Sequence, residues 1–289
     1  MLITVIIPVW NDEKRISLCL DALHKQSIGV DSFEVIVVDN ASTDGTSEAL
    51  KAYPWITVLY EPEPGSYGAR NRAINDASGE YLAFTDSDCI PAQTWLEACL
   101  ACAQKHPGFG VVAGDVTFFE ATEASVEQSA IDFETMFSMD QKINSQNGVS
   151  ITANFFVQRK TVHHFGGFNQ KLKSGGDHEL SKRIYDSGRA VIFCQEGYVA
   201  HPARNINELL IKRRRVIGGS WDRQQTRAKP ILFAWQATKL IVKRTLQVIF
   251  TTKIRLNRKP ALLWLLCRIY GTSLAEITRL FVGGTSTRS

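Results

Sequence analysis

Two phosphate cradles are missing from this chain of 289 residues. It has no Gly-x-x-x-x-Gly-Lys-Ser/Thr segment and no Gly-x-Gly-x-x-Gly segment, so neither a P-loop nor a dinucleotide fingerprint is present to hold phosphates. Dense cysteine spacing is missing too. The six cysteines lie scattered at 19, 89, 99, 102, 194 and 267, which excludes a disulfide scaffold and paired metal knuckles. Cys99 and Cys102 form a lone Cys-x-x-Cys that reads as thiols of a helix, with a redox role as the alternative. This usage points to a reducing cytoplasm. No stretch reaches 18 uncharged apolar residues, which argues against a spanning helix. Met1 to Pro8 lacks a basic region and is too short and too β-branched for a secretory signal, so it reads as a first strand. Internal repeats and low-complexity linkers are absent.

What is there is a chain with 44% hydrophobic residues and a net charge of +4. Such a composition suits a folded globule with ample chain for a core. The charge is unevenly placed. Residues 204–268 carry 16 Lys and Arg against only Glu208 and Asp222, a net of +14, which leaves −10 for the remainder. The chain therefore divides into a body, 1–204, and a basic amphipathic helical extension, 205–289.

In the body, short apolar runs stop at acids. Ile3 to Val9 is a β-branched run followed by Trp10-Asn11-Asp12, after which Ile16, Leu20 and Leu23 recur at helical spacing. Phe33 to Val38 stops at Asp39, and Asn40 to Gly45 makes a polar turn before a helix containing Ala49 and Leu50. Trp55 to Tyr60 is a third strand. Ala69, Ala73 and Ala77 suggest a close-packed helix before the strand Tyr81 to Phe84, which runs into Asp86 and Asp88. Beyond it the spacing predicts a helix over 94–106, a strand over 110–119, another over 151–157 and a strand pair at 191–194 and 198–201; residues 120–146 lack clear punctuation. Alternating strands and helices imply an α/β fold with a mainly parallel central sheet flanked by helices.

In open α/β sheets the ligand crevice lies beyond the carboxyl ends of the strands. Asp86 and Asp88 fall there, and two hard oxygen donors suit Mg²⁺ or Mn²⁺ bound together with substrate phosphates. The alternative is that both merely cap the helix near Thr94. Asp39 at a second strand end reads as a binding residue or as a turn residue. Arg70 on its own reads as a surface ion-pair partner. His163 and His164, adjacent in what reads as extended chain, point apart and make a poor metal pair.

Six segments carry a resemblance: Val5-Ile6-Ile7-Pro8-Val9-Trp10-Asn11, Val37-Val38-Asp39-Asn40-Ala41-Ser42-Thr43-Asp44-Gly45-Thr46, Gly68-Ala69-Arg70-Asn71, Asp86-Ser87-Asp88, Gly166-Gly167-Phe168 and Gly176-Asp177-His178-Glu179-Leu180. In this order, over roughly residues 1 to 205, the chain resembles the family 2 glycosyltransferases with the A-type, nucleotide-diphospho-sugar transferase fold. The resemblance implies inverting transfer of a sugar from a nucleotide-diphosphate donor to an acceptor hydroxyl. By it Pro8, Trp10, Asn11 and Asp39 would hold the nucleoside, with Arg70 and Asp86 near the donor. Asp88, with Asp86, would bind the Mn²⁺ or Mg²⁺ ion, and His201 stands where similar enzymes have a metal-side histidine; its alternative is a strand-end histidine bonded to backbone. Asp177 would be the general base on the acceptor. The family commonly has Glu-Asp where this chain has Gly176-Asp177, so Glu179 is a second candidate base.

The extension alternates apolar clusters with basic runs such as Lys212 to Arg215. Basic amphipathic helices carrying Trp and Phe suit the plane of an anionic membrane, and packing on the body as a lid or dimer surface is the alternative. No nucleic-acid motif accompanies the charge. Together these features predict a glycosyltransferase on the cytoplasmic face of the plasma membrane, peripherally bound, acting on a saccharide or lipid-linked acceptor in surface polysaccharide or glycolipid assembly. The rivals are a sugar nucleotidyltransferase, which would be expected to show a Gly-rich basic loop after the first strand, and an idle scaffold subunit recruited to membranes.

Overall fold

The computed structural model describes residues 2–120, 126–224, 226 and 228–286. In chain order the first elements are β1 (Ile3–Val9), α1 (Glu13–His24), β2 (Phe33–Asp39), α2 (Thr46–Leu50), β3 (Thr57–Tyr60), α3 (Ser66–Asp76), β4 (Tyr81–Phe84), β5 (Ile90–Pro91), α4 (Trp95–Lys105) and β6 (Val111–Phe119). There follow α5 (Gln128–Phe137), α6 (Gln141–Gln146), β7 (Phe155–Gln158), α7 (Arg159–His164), α8 (Gly176–Asp186), β8 (Val191–Pro202), α9 (Ile206–Arg223), α10 (Lys229–Phe250) and α11 (Lys259–Phe281).

The chain forms two compact units, one of residues 1–117 with 139–202 and the other of 118–138 with 203–289. The expected cut after residue 204 thus falls two residues earlier, and a segment from the middle of the chain joins the basic extension. The first unit holds an eight-stranded sheet in the order β3-β2-β1-β4-β7-β6-β8-β5. The parallel half is β3-β2-β1-β4; β7 runs antiparallel to β4 and β6, and β5 antiparallel to β8. The sheet is therefore mixed, its parallel part being the run of strands that sequence alternation announced. The strand pair expected at 191–201 is one continuous strand, and the start of the 151–157 run is a 3₁₀ turn over 152–154. His163 and His164 lie in α7, not in extended chain.

Every residue of β1 is buried. Because successive side chains point to opposite faces, Val5, Ile7 and Val9 join Phe33, Val35 and Val37 under α1, packed with Ile16, Leu20 and Trp95. On the other face Ile6 joins Ile36, Val38, Leu82 and Phe84 under α3, whose Ala69 and Ala73 let it lie close. Helices on both faces are what a parallel sheet requires. Asn154, fully buried, ties the antiparallel half together: its Oδ1 accepts from Trp95 Nε1 at 2.8 Å, and its Nδ2 donates to the carbonyls of Asp115 and Gly197, each at 2.8 Å.

The second unit is helical. α9 begins at a capping box in which Asn205 and Glu208 satisfy each other's backbone N–H. Phe133 of α5 packs with Leu209, Val248, Leu262, Leu265 and Ile269. The same helix supplies counter-ions: fully buried Glu134 meets Arg204 at 3.3 Å and Lys212 at 3.5 Å, and Asp132 binds Arg258. Arg244 lies over the rings of Phe133 and Phe137, 5.1 and 4.8 Å from their centroids. Several of the cations that the sequence leaves unassigned are therefore structural.

Trp95→Phe shrinks a fully buried side chain and orphans Asn154 Oδ1. Urea unfolding should show a loss of about 2–4 kcal/mol; a loss below about 0.5 kcal/mol would mean that the site repacks and Asn154 finds another donor.

Candidate active site

The chain runs outward from β1 to β3 and returns to β4 on the other side of β1, which places a topological switch point at the carboxyl ends of β1 and β4. Val9 pairs with Asp39 and Ile6 with Phe84, so the ends of three parallel strands deliver Trp10-Asn11-Asp12, Asp39-Asn40 and Thr85-Asp86 to one edge. Trp10 is exposed and Pro8 lies within buried β1. Asn11, at φ 49°, turns the chain and is laced to the neighbouring loop: its N–H donates to Ser42 Oγ at 3.0 Å and its Oδ1 accepts from Thr43 N at 2.7 Å. Asp39 is buried, accepting from Ser42 N and from the Ser47 hydroxyl. It serves the local turn, and each of its oxygens retains acceptor capacity for a ligand. Asn40, which sequence reasoning passed over, braces the loop before α3 by donating to the carbonyls of Glu61 and Glu63 and accepting from Gly65 N.

β5 pairs with β8 in the register Ile90↔Ala200 and Pro91↔Val199. One step back, that register sets Cys89 opposite His201, and the donor atoms of Asp88, Cys89 and His201 all lie within 4.8 Å of one another. His201 is buried; its Nδ1 contacts the Pro202 carbonyl at 2.7 Å, and its Nε2 stands 3.7 Å from Asp88 Oδ1. A carbonyl only accepts, so Nδ1 donates to it and Nε2 is the nitrogen turned to Asp88, the orientation found in metal-binding histidines. Burial, with Asp88 and Asp86 adding to it, pushes the Cys89 thiol up well above its usual range. An oxygen and an imidazole nitrogen fit a divalent first-row ion.

Asp86 stands apart from that cluster. Its Oδ1 accepts from Arg70 Nη2 at 2.6 Å, and Arg70 is 97% buried, its side chain 3% exposed, which overturns the surface ion-pair alternative. The Asp86-Ser87-Asp88 loop is further held by Asp12, another residue the sequence did not mark: Asp12 accepts from Ser87 Oγ and from Arg15 Nε, each at 2.6 Å, and Arg15 Nη1 reaches to 3.8 Å from Asp88 Oδ2. The visible signal was a charged pair three apart immediately after β1.

Asp177 and Glu179 share the first turn of α8 but not a role. Glu179 is held by Arg183 in a two-pronged ion pair, with contacts of 2.6 and 3.0 Å, and Arg183 also donates to the carbonyls of Phe165 and Gly167. Glu179 thereby braces the Gly166-Gly167 turn, both of whose residues have φ 72°. Asp177 accepts from Tyr67 OH and from Thr152 N, each at 3.4 Å. Burial, with Asp177 beside it, pushes the Tyr67 phenol up to about 12, so it remains a donor. The Tyr67 ring stacks on Phe168 with centroids 5.8 Å apart, and the Arg70 guanidinium lies 6.0 Å from its centre. A Cβ at Gly176 would stand 2.8 Å from this ring. The glycine that departs from the expected Glu-Asp pair is therefore the residue Tyr67 demands. Tyr67 precedes Arg70 by three residues on α3, one helical face, and that spacing was the available clue.

A family profile described as Glycosyl transferase family 2 matches residues 4–166. This chain belongs to that family. It is 39% identical over 219 residues to the glycosyltransferase AglE of Haloferax volcanii, covering 74% of this chain and 71% of the relative. A poly(ribitol-phosphate) beta-glucosyltransferase of Bacillus spizizenii is 43% identical over 94 residues, 30% of this chain but only 15% of that protein. Among solved structures, the mannosyltransferase PcManGT from Pyrobaculum calidifontis in complex with GDP-Man and Mn²⁺ superposes with a TM-score of 0.60 at 22% identity, over 98% of this chain and 76% of that one. The S. aureus TarS fragment 1–349 in complex with UDP gives 0.56 at 19% identity, over 98% and 92%. These likenesses confirm the fold class, a central sheet flanked by helices with further helices at the C-terminus. The glycosyltransferase is of the A-type fold.

Gly176→Ala should cost about 1–3 kcal/mol of stability, because the stacked Tyr67 ring cannot withdraw. In a Tyr67→Ala background the same change should be nearly neutral. Equal costs in both backgrounds, read by chemical denaturation, would show that the ring is not what excludes a side chain there.

Proposed function

We propose that this family 2 glycosyltransferase moves a sugar from a nucleotide-diphosphate donor to an acceptor hydroxyl with inversion, in assembly of a surface polysaccharide or glycolipid. The observation that carries the reading is His201, buried, with Nδ1 committed to Pro202 and Nε2 turned to Asp88. A two-residue oxygen and nitrogen site at the carboxyl edge of the sheet suits a divalent ion shared with a diphosphate, as Mn²⁺ accompanies GDP-Man in the PcManGT complex. An ion held by Asp88 and His201, Mn²⁺ in preference to Mg²⁺ because of the imidazole ligand, would offset charge on the departing nucleotide.

The remaining roles belong to the chain itself. Pro8, Trp10, Asn11 and Asp39 border the place where a nucleoside fits at the ends of β1 and β2. Arg70 fixes Asp86 toward the donor side and supplies a buried positive charge next to it. Asp177 is the base: it takes the proton of the acceptor hydroxyl as that oxygen attacks the anomeric carbon from the face opposite the bond to the donor phosphate. Tyr67, kept protonated, holds the carboxylate in place. Glu179, paired with Arg183, shapes the Gly166-Gly167 turn and leaves the base role to its neighbour. A saccharide acceptor or a lipid-linked one satisfies this chemistry, and the donors seen with solved relatives are UDP-GlcNAc and GDP-Man.

A thermal-shift panel of UDP, GDP, CMP and their sugar conjugates, each with and without Mn²⁺, should give a metal-dependent rise with one nucleotide that is lost in both Asp88→Ala and His201→Ala. Ligand at a hundredfold its Kd adds about 2.7 kcal/mol to the folded state. No rise with any nucleotide would defeat the donor reading. Asp177→Asn should keep the donor-induced rise while transfer falls about 10²- to 10⁴-fold. Transfer that survives this change would hand the base role to Glu179.

A further inference from the structure

α10 is apolar on two opposite faces. Phe233, Ala237 and Val248 are buried within the second unit. Ile231, Trp235, Val242, Leu246 and Ile249 are 47–76% exposed. At 3.6 residues per turn these five side chains fall within an arc of about 60°, roughly opposite the buried three, and the stripe runs for about 27 Å. A buried helix needs one apolar face. The second one removes no surface from water in the folded chain, and exposed stripes of this kind mark interaction sites.

The charge around the stripe identifies what covers it. From Lys229 to Arg268 there are nine Lys and Arg and no Asp or Glu. Arg244 and Arg258 are taken up by α5, and Lys259 caps the end of α10 through the carbonyls of Ile249 and Thr251. Lys239 and Lys243, by contrast, are exposed along one edge of the stripe, and Lys253 and Arg255 are exposed beyond its end with Leu256, while Arg268 and Trp264 are exposed on α11. A second copy of this chain is a poor occupant: pairing about a two-fold axis would set the same cations against one another with no acid on the face to compensate. No helix of the described residues is long and apolar enough to cross a membrane. An apolar stripe with tryptophan, edged by lysines and lacking acids, fits the interface of an anionic bilayer, with side chains at the acyl boundary and ammonium groups among the headgroups.

We propose that the outward stripe of α10 is a docking surface for an anionic lipid bilayer, Trp235 and Val242 entering the interface and Lys239 and Lys243 meeting the headgroups. It extends the reading of a membrane-borne acceptor, but binding requires neither donor nor acceptor, so its failure and the failure of the transferase reading are separable.

The test is flotation of the full chain with vesicles of equal parts phosphatidylcholine and phosphatidylglycerol, against phosphatidylcholine alone, at low and high sodium chloride. The wild type should float with the anionic vesicles at low salt and lose them as salt screens the headgroups. Lys239→Gln with Lys243→Gln should weaken partitioning about 30-fold, at roughly fivefold per cation. Trp235→Ser with Val242→Ser should abolish flotation while leaving the melting temperature unchanged, since both side chains are exposed. Three outcomes overturn the proposal: no flotation of the wild type; flotation indifferent to lipid charge and salt; or a dimer in sedimentation that the Trp235→Ser and Val242→Ser pair dissolves.

Discussion

The burial of β1 on both faces is the constraint from which the site follows. A strand with no exposed residue leaves no room for chemistry along its length, so the polar groups of β1 and its parallel neighbours collect where the strands end. Because the chain leaves β1 toward β3 and comes back to β4, the polar ends of β1 and β4 adjoin at a topological switch point. Asp12, Asp39 and Asp86 occupy that edge. The antiparallel half then brings in what the parallel half cannot supply: β8 sets His201 opposite Cys89 through the register of its pairing with β5.

Tyr67 links the two halves of the chemistry. Its ring rests on Phe168, its hydroxyl donates to Asp177, and Arg70, one turn further along α3, grips Asp86. A single helix face thus orients both the carboxylate proposed for the donor side and the carboxylate proposed for the acceptor side. The bulk of the tyrosine forces glycine at 176, so a change that looks in the sequence like the loss of an acid is a steric exchange between two positions more than a hundred residues apart. An acid kept at 176 with tyrosine at 67 would leave the ring and the new side chain in the same space.

The strands β1, β2 and β4 and their helices are legible in the sequence because burial on two faces makes continuous apolar runs, and each run is followed within three residues by an acid beyond its carboxyl end. The candidate site residues at those ends, Asn11, Asp39, Asp86 and Asp88, are legible for the same reason. What escapes is whatever depends on a distant partner. Arg70 looks like any surface arginine until Asp86 and Tyr67 close over it, and Glu179 reads as an unpaired carboxylate until Arg183 is seen to hold it. The single long strand β8 reads as two because Gln195 and Glu196 interrupt its apolar pattern, although Gly197 packs tightly against Cys99 and Cys194 and the ladder does not break. The boundary of the second unit is hidden likewise: residues 120–146 lack punctuation because the acids of α5 are written for cations of a region that begins some seventy residues later.

Those acids change the meaning of the basic extension. Net charge counts every lysine and arginine alike, whereas the folded chain sorts them. Glu134 has no exposure at all, and a carboxylate so buried is tolerable only with cations against it, so Arg204 and Lys212 belong to the helix bundle. Burial, with Arg204 next to it, pushes the Lys212 ammonium down to about 8, and its contact with Glu134 at 3.5 Å ties it to the bundle. The charge left for an outside surface is smaller than the sequence suggests, but it is concentrated between Lys239 and Arg268, beside apolar side chains that the bundle itself has no use for.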